Sequence, residues 1–144
     1  MGYIDSNLLA DEKIAYKARL HRIIFLKPVV LILLGAIFYF IQPIVGILII
    51  LIGAIAATPS IIDYLSSEFG VTNKRVIIKV GFLRRRTLEL LLRHVEAISV
   101  DQSVLGRFLD FGSVTLTGTG GVREVFHNIS APLEFRRRIQ GEAV

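Results

Sequence analysis

Residues 26–63 read LKPVVLILLGAIFYFIQPIVGILIILIGAIAATPSIID, and the number of passes this stretch makes decides the architecture. From Pro28 to Ile62, 35 consecutive residues carry no Asp, Glu, Lys, Arg or His. As one straight helix they would measure about 52 Å at roughly 1.5 Å per residue, against a hydrocarbon core about 30 Å thick. A single helix would have to lean by more than about 50°, beyond the usual range of roughly 0–40°. Two passes fit, and the turn between them is visible at Gln42-Pro43. Proline suits the first turn of a helix and disfavours the helical conformation in the residue before it. The expected spans are 23–41 and 43–62, of 19 and 20 residues, each about 30 Å long. A buried helical hairpin of a soluble protein would instead carry a polar stripe on each helix.

The flanks orient the pair. Residues 1–27 hold five Lys/Arg against three Asp/Glu, and residues 64–144 hold twelve against eight, within a chain of net charge +5. Basic flanks on both sides put both termini in the cytoplasm and the Gln42-Pro43 tip outside, making a multi-pass membrane protein. Lys27, near the start of the first span, snorkels to the interface. Ala54-Ile55-Ala56 has the small residues of a signal-peptidase site but lies far beyond the usual window, and the start DSNLLADEK is no charged n-region. The chain has no cysteine, which excludes disulfides and thiolate chemistry.

Beyond the apolar run the texture changes at Asp63-Tyr64. VTNKRVIIKVGFLRRRTLELLL has β-branched runs broken at Thr72-Asn73 and Gly81. Leu88, Leu90 and Leu92 share one face of a strand, as do Val114 and Leu116, which predicts antiparallel strands with one wet side. Glu96–Val100 and Arg123–Phe126 read as further strands. Val104, Leu105, Phe108 and Leu109 recur at helical spacing. Ser130 is the expected N-cap of a terminal helix, 131–140, with Pro132 in its first turn and Phe135 and Ile139 on its buried side. In the N-terminal segment, 1–22, Ile14, Tyr16, Ala18 and Leu20 alternate and offer a strand to the sheet edge of the 64–144 domain.

These residues carry a resemblance. Residues 71–121, VTNKRVIIKVGFLRRRTLELLLRHVEAISVDQSVLGRFLDFGSVTLTGTGG, with PLEFRRRI at 132–139 and the leader NLLADEKIAYKARLH at 7–21, resemble the bacterial pleckstrin-homology-like (PH-like) domain of small membrane proteins. The resemblance implies an α+β membrane protein: a two-helix transmembrane hairpin, 23–62, followed by a PH-like antiparallel β-sandwich or barrel capped by a C-terminal helix. It implies a place in the bacterial cytoplasmic (inner) membrane, and no catalysis. The family usually carries Pro-Gly where this chain has Ala10-Asp11, and Gly where it has Asp110. A backbone position with φ > 0 tolerates Asp less well than Gly.

Chemistry-bearing motifs are sparse. His21, His94 and His127 lie far apart with no ligand spacing, so no metal or other cofactor is expected. Gly118-Thr119-Gly120-Gly121 lacks the Gly-Lys-Ser/Thr ending of a phosphate loop and reads as a hairpin turn. No nucleophile motif is present. The pI near 9.9 comes without a nucleic-acid-binding motif, and the basic residues flank the spans. The basic cluster Lys79, Arg84, Arg85 and Arg86 is the candidate contact for anionic lipid. Lys79, Arg84 and Arg86 resemble the Lys-x(n)-Arg-x-Arg pattern that eukaryotic relatives use on their first hairpin, and planar guanidiniums fork onto phosphate oxygens. The expected function is a non-enzymatic, membrane-anchored module that binds a protein partner or its own copies. The alternative is an anionic-lipid surface sensor using the basic residues of that first hairpin. Neither nucleic acid nor a small-molecule substrate is expected.

Overall fold

In the computed structural model, which describes residues 2–144, the chain divides into two compact units. One comprises the residues up to His21 together with Ser66–Val144; the other is Arg22–Leu65.

The second unit is a pair of apolar helices. A 3-10 turn, Arg22–Phe25, leads into α2, Leu26–Ile41. Gln42 is extended, at φ −146° and ψ 104°, and α3 runs Pro43–Ser66. The chain therefore breaks at Gln42, as the proline demands. It does not stop at Ile62, because Asp63–Ser66 contains neither Gly nor Pro to end the helix. Three glycines let the two backbones touch. A Cβ on Gly46 would lie 2.4 Å from Cα of Tyr39, and one on Gly35 would lie 2.8 Å from the backbone N of Ile50. Gly53 meets Ile32 in the same way. Small residues at such contacts are how helices associate where no hydrophobic driving force exists between them.

The first unit holds two antiparallel sheets. The four-stranded sheet has the order β1 (Ile14–Ala18), β2 (Glu68–Thr72), β3 (Arg75–Val80), β4 (Arg86–Leu91). The three-stranded sheet is β5 (Val95–Asp101), β6 (Phe111–Gly118), β7 (Arg123–Ser130). Short helices α1 (Tyr3–Ser6) and α4 (Val104–Leu109) and the terminal α5 (Pro132–Ala143) complete it. The sheets meet over a core in which Phe69 of β2 stands edge-on to Phe126 of β7 and to Phe135 of α5, at 6.0 and 6.4 Å. Val71, Val76, Ile78, Val114 and Leu116 fill the space around them. Past β1, Leu20 bridges to Ile129 and closes one corner.

The strand read at Val114 and Leu116 does alternate between buried and half-buried residues, whereas β2 and β3 are dry on both faces: Phe69, Val71, Val76, Ile77 and Ile78 are all fully buried. Their outer face is covered by the N-terminal segment, whose Ile4 fills the space over Gly70, so that segment is part of the β-unit. Ser130, expected to cap α5, is instead the last residue of β7, its N–H donating to Arg19 O at 2.9 Å. Sheet pairing outweighs the cap, and Ala131, at φ 48°, takes the N-cap position without a side-chain bond. Asp11 and Asp110 adopt φ 61° and 57°, the left-handed geometry for which the family's usual Gly is suited.

Candidate functional site

Lys79 lies near the end of β3, opposite Glu68, and Arg86 begins β4, opposite Val80. The five residues between, 81–85, form a turn that Gly81 opens at φ 80°. This turn joins the third and fourth strands of the sheet. The first two strands are joined by the apolar helices, so the basic cluster does not occupy the first hairpin of the fold as the pattern suggested. A spacing pattern reports local sequence, whereas strand number depends on the segment 14–18, whose partner is more than fifty residues away.

Three of the four cations already have partners. The Lys79 ammonium and the Arg85 guanidinium each lie 5.5 Å from the ring centroid of Tyr3. Arg86 pairs with Glu124 of β7 at 2.5 Å. Among the described residues, Arg84 alone of the four is exposed without such a partner. Tyr3, Asn7, Glu68, Lys79 and Arg85 border an open groove of roughly 500 Å3. Its carboxylate is occupied: Glu68 accepts the N–H groups of Tyr3 and Ile4 at 2.8 and 3.1 Å, which holds the first turn of α1 against the sheet. Each cation–aromatic contact contributes about 0.5–1 kcal/mol at such an exposed site, so neither cation is locked away from an anion.

Sequence reasoning missed the buried polar cluster on the outer face of the four-stranded sheet. Glu12, its side chain 0% exposed, accepts from Arg75 Nε at 3.0 Å and Nη2 at 3.1 Å. It also accepts the Thr72 hydroxyl and the Leu9 N–H, both at 2.7 Å. Arg75 donates in addition to Asn7 O and to Glu89. Burial pushes the Glu12 carboxyl up, but donation from Arg75, Leu9 and Thr72 outweighs it and holds the group at about 2. Hydrogen bonding to Glu12 raises Arg75 against the effect of burial. All three guanidinium nitrogens of Arg75 donate, and the bonds to Glu12 and Asn7 make the cluster a clamp that fastens the N-terminal segment to β2 and β3. One signal was available: Arg75 precedes three consecutive apolar residues, which marks a strand dry on both faces, where an arginine requires a buried acid.

The histidines stay apart. His21 stacks on Phe111 with centroids 5.1 Å apart, and His127 Nδ1 shares a hydrogen bond with the Ser113 hydroxyl at 2.9 Å. No group of three or more His, Cys, Asp or Glu gathers among the described residues. Gly120 and Gly121, at φ 86° and 82°, turn the chain from β6 into β7, with Gly118 N–H donating to Val122 O. The apolar side chains of α4, including Phe108 and Val104, point outward.

No curated protein matches the chain. Among solved structures it is similar to a DUF1696 family protein with a pleckstrin-homology domain from Shewanella loihica PV-4. That likeness has a TM-score of 0.51 at 10% identity, covering 98% of this chain and 90% of the other, and it shows a shared PH-like fold. The family model described as "Bacterial PH domain" matches residues 24–143, the apolar helices and both sheets from β2 onward. The chain belongs to the bacterial PH domain family.

Proposed function

We propose that this protein is a non-catalytic interaction module anchored in the bacterial cytoplasmic membrane by residues 22–65. Both termini and the β-unit lie on the cytoplasmic side, where the β-unit binds a protein partner or a second copy of the chain. The observation that carries this reading is where the apolar helices are inserted. They interrupt the chain between β1 and β2, neighbouring strands whose Ala18 and Phe69 are paired. Chain that leaves and re-enters one sheet at adjacent strands returns to the side it left, so the segment crosses a bilayer an even number of times. The helices themselves support insertion: both have mean hydropathy 2.5, and only 11% of each apolar window is buried. Ile37, Phe40, Ile44 and Ile55 are largely exposed. In water, that surface would be far larger than the few hundred Å2 a soluble monomer tolerates. The aromatic pairs Phe25–Tyr64 and Tyr39–Phe40 sit near opposite ends of α2, as interfacial belts do.

A phosphatase reporter active only outside the cytoplasm, fused after Gln42 or after Val144, tests the topology. Activity at Gln42 and silence at Val144 is expected; activity at Val144 would overturn the hairpin. Crosslinking in intact membranes followed by mass spectrometry then reads whether the β-unit meets a different protein or its own copy.

A second reading is favoured by one observation. Glu68, two residues past the end of α3, is paired with Lys79, so the turn bearing Arg84, Arg85 and Arg86 lies at the end of the sheet where the chain passes to the apolar helices. In this reading the basic cluster senses the anionic leaflet, with each exposed cation near the surface contributing on the order of 1 kcal/mol.

A further inference from the structure

We propose that the turn between β3 and β4 is a third point of membrane contact, in which Phe82 and Leu83 enter the headgroup–acyl boundary of the leaflet that the apolar helices leave. The inference rests on the membrane reading above and adds to it an apolar wedge. Phe82 and Leu83 are 69% and 89% exposed at the apex of the turn, and neither is among the buried residues of the domain's core. Turn apices favour Gly, Asn, Asp and Ser, and two adjacent large apolar side chains there gain nothing in water.

The strand register supplies the occupant. Lys79 stands opposite Glu68 in antiparallel strands, which lie about 4.8 Å apart. Counting back from Glu68 to Ser66, the last residue of α3, and forward from Lys79 to Phe82 moves in the same direction along the sheet, by about 7 and about 10 Å. The apex and the end of α3 therefore share one end of the sheet, separated sideways by about one strand spacing. The chain that continues back from Ser66 is the apolar helix, so the apex lies at the end of the sheet from which the chain enters the membrane in this reading.

Charge completes the pattern. Arg84, Arg85 and Arg86 follow the apolar pair directly, and an apolar wedge backed by cations is how interfacial segments sit about 5–10 Å into the headgroup–acyl boundary. Among the described residues Arg84 has no charged or aromatic partner, and Arg85 meets the Tyr3 ring, so both can reach a lipid phosphate.

The test uses the full chain, whose lack of cysteine makes single-site labelling clean. Leu83→Cys, Phe82→Cys, Ile37→Cys and Lys13→Cys are each labelled with a polarity-sensitive fluorophore. Each is reconstituted into vesicles of phosphatidylcholine and phosphatidylglycerol, with or without nitroxide-bearing lipids. Ile37 reports the inside of α2, four residues before its end, and exposed Lys13 lies just before β1, at the far end of the same sheet. The labels at 82 and 83 are expected to shift to the blue and be quenched several-fold more than the label at 13. A shallow nitroxide should quench them best, and a deep one should quench the label at 37 best. If 37 is quenched while 82 and 83 emit as 13 does, the wedge is refuted and the membrane reading stands. Blue-shifted but unquenched emission at 82 and 83 means a protein surface covers them, and also refutes the wedge. An unquenched label at 37 overturns the membrane reading, and the wedge with it.

Discussion

Replacing Arg75 with Met removes the cation that sustains the Glu12 carboxylate inside the cover of the four-stranded sheet. The Glu12 side chain is 0% exposed and that of Arg75 10%, so no water replaces the lost donors. Breaking a buried pair by removing one partner costs about 3–5 kcal/mol. Proton linkage gives an independent figure. Glu12 is held at about 2 against an ordinary 4.5, a difference of about 2.5 units at roughly 1.36 kcal/mol each, or about 3 kcal/mol. Because the folded-state value is the lower one, this stabilisation is complete above about pH 5 and is lost as pH falls from there towards about 2. In a unit of about 100 residues, 3 kcal/mol corresponds to a fall in melting temperature of about 12–24 °C. The measurement is thermal unfolding of the full chain in detergent micelles at neutral and acid pH. Hydrogen-exchange mass spectrometry reads protection of residues 2–12 and of β2 and β3 separately from the apolar helices. Arg75→Met should lose the protection of the N-terminal segment first, and Glu12→Gln should flatten the acid branch of the wild-type curve. Arg75→Met melting within a few degrees of wild type, with residues 2–12 still protected, would refute the clamp. Parallel acid loss in wild type and Glu12→Gln would refute Glu12 as its source.

Two further outcomes follow from backbone geometry. With spin labels at Ile37→Cys and Leu48→Cys, Gly46→Leu should lengthen and broaden the interhelical distance and Gly46→Ala should do so less, since any Cβ there meets the Tyr39 backbone at 2.4 Å; an unchanged distribution would count against the close crossing. At Asp110, whose φ is 57°, Asp110→Gly should raise the melting temperature by several degrees, for about 0.5–1 kcal/mol, whereas Asp110→Val should lower it by more; equal melting of the two would show that the turn is not left-handed.

Much of the architecture is legible along the chain because its signals are local. The uncharged run and Pro43 announce two apolar helices, because charge cost and a missing N–H act at the residue itself. Alternation at Val114 and Leu116 announces a strand with one dry face, and both side chains are buried. Gly81, Gly120 and Gly121 mark turns, and all three have positive φ. The basic residues 79 and 84–86 were also visible, though not what each one touches.

What depended on tertiary structure is everything that pairs residues distant in sequence. The N-terminal segment becomes the second cover of the sheet only because Glu12 and Arg75, 63 residues apart, are brought within hydrogen-bonding distance. Pairing of β1 with β2 turns the apolar helices from a leading segment into an insertion within a sheet, a placement that no local signal carries. Ser130 shows the same priority at a single residue: its hydroxyl suits a helix cap, but its backbone N–H meets Arg19 across the closing corner, and the sheet keeps it. Local propensities amount to about a kilocalorie per residue, while leaving a buried donor or acceptor without its partner costs as much or more, so the sequence by itself determined where elements form and the tertiary structure decided which of them meet.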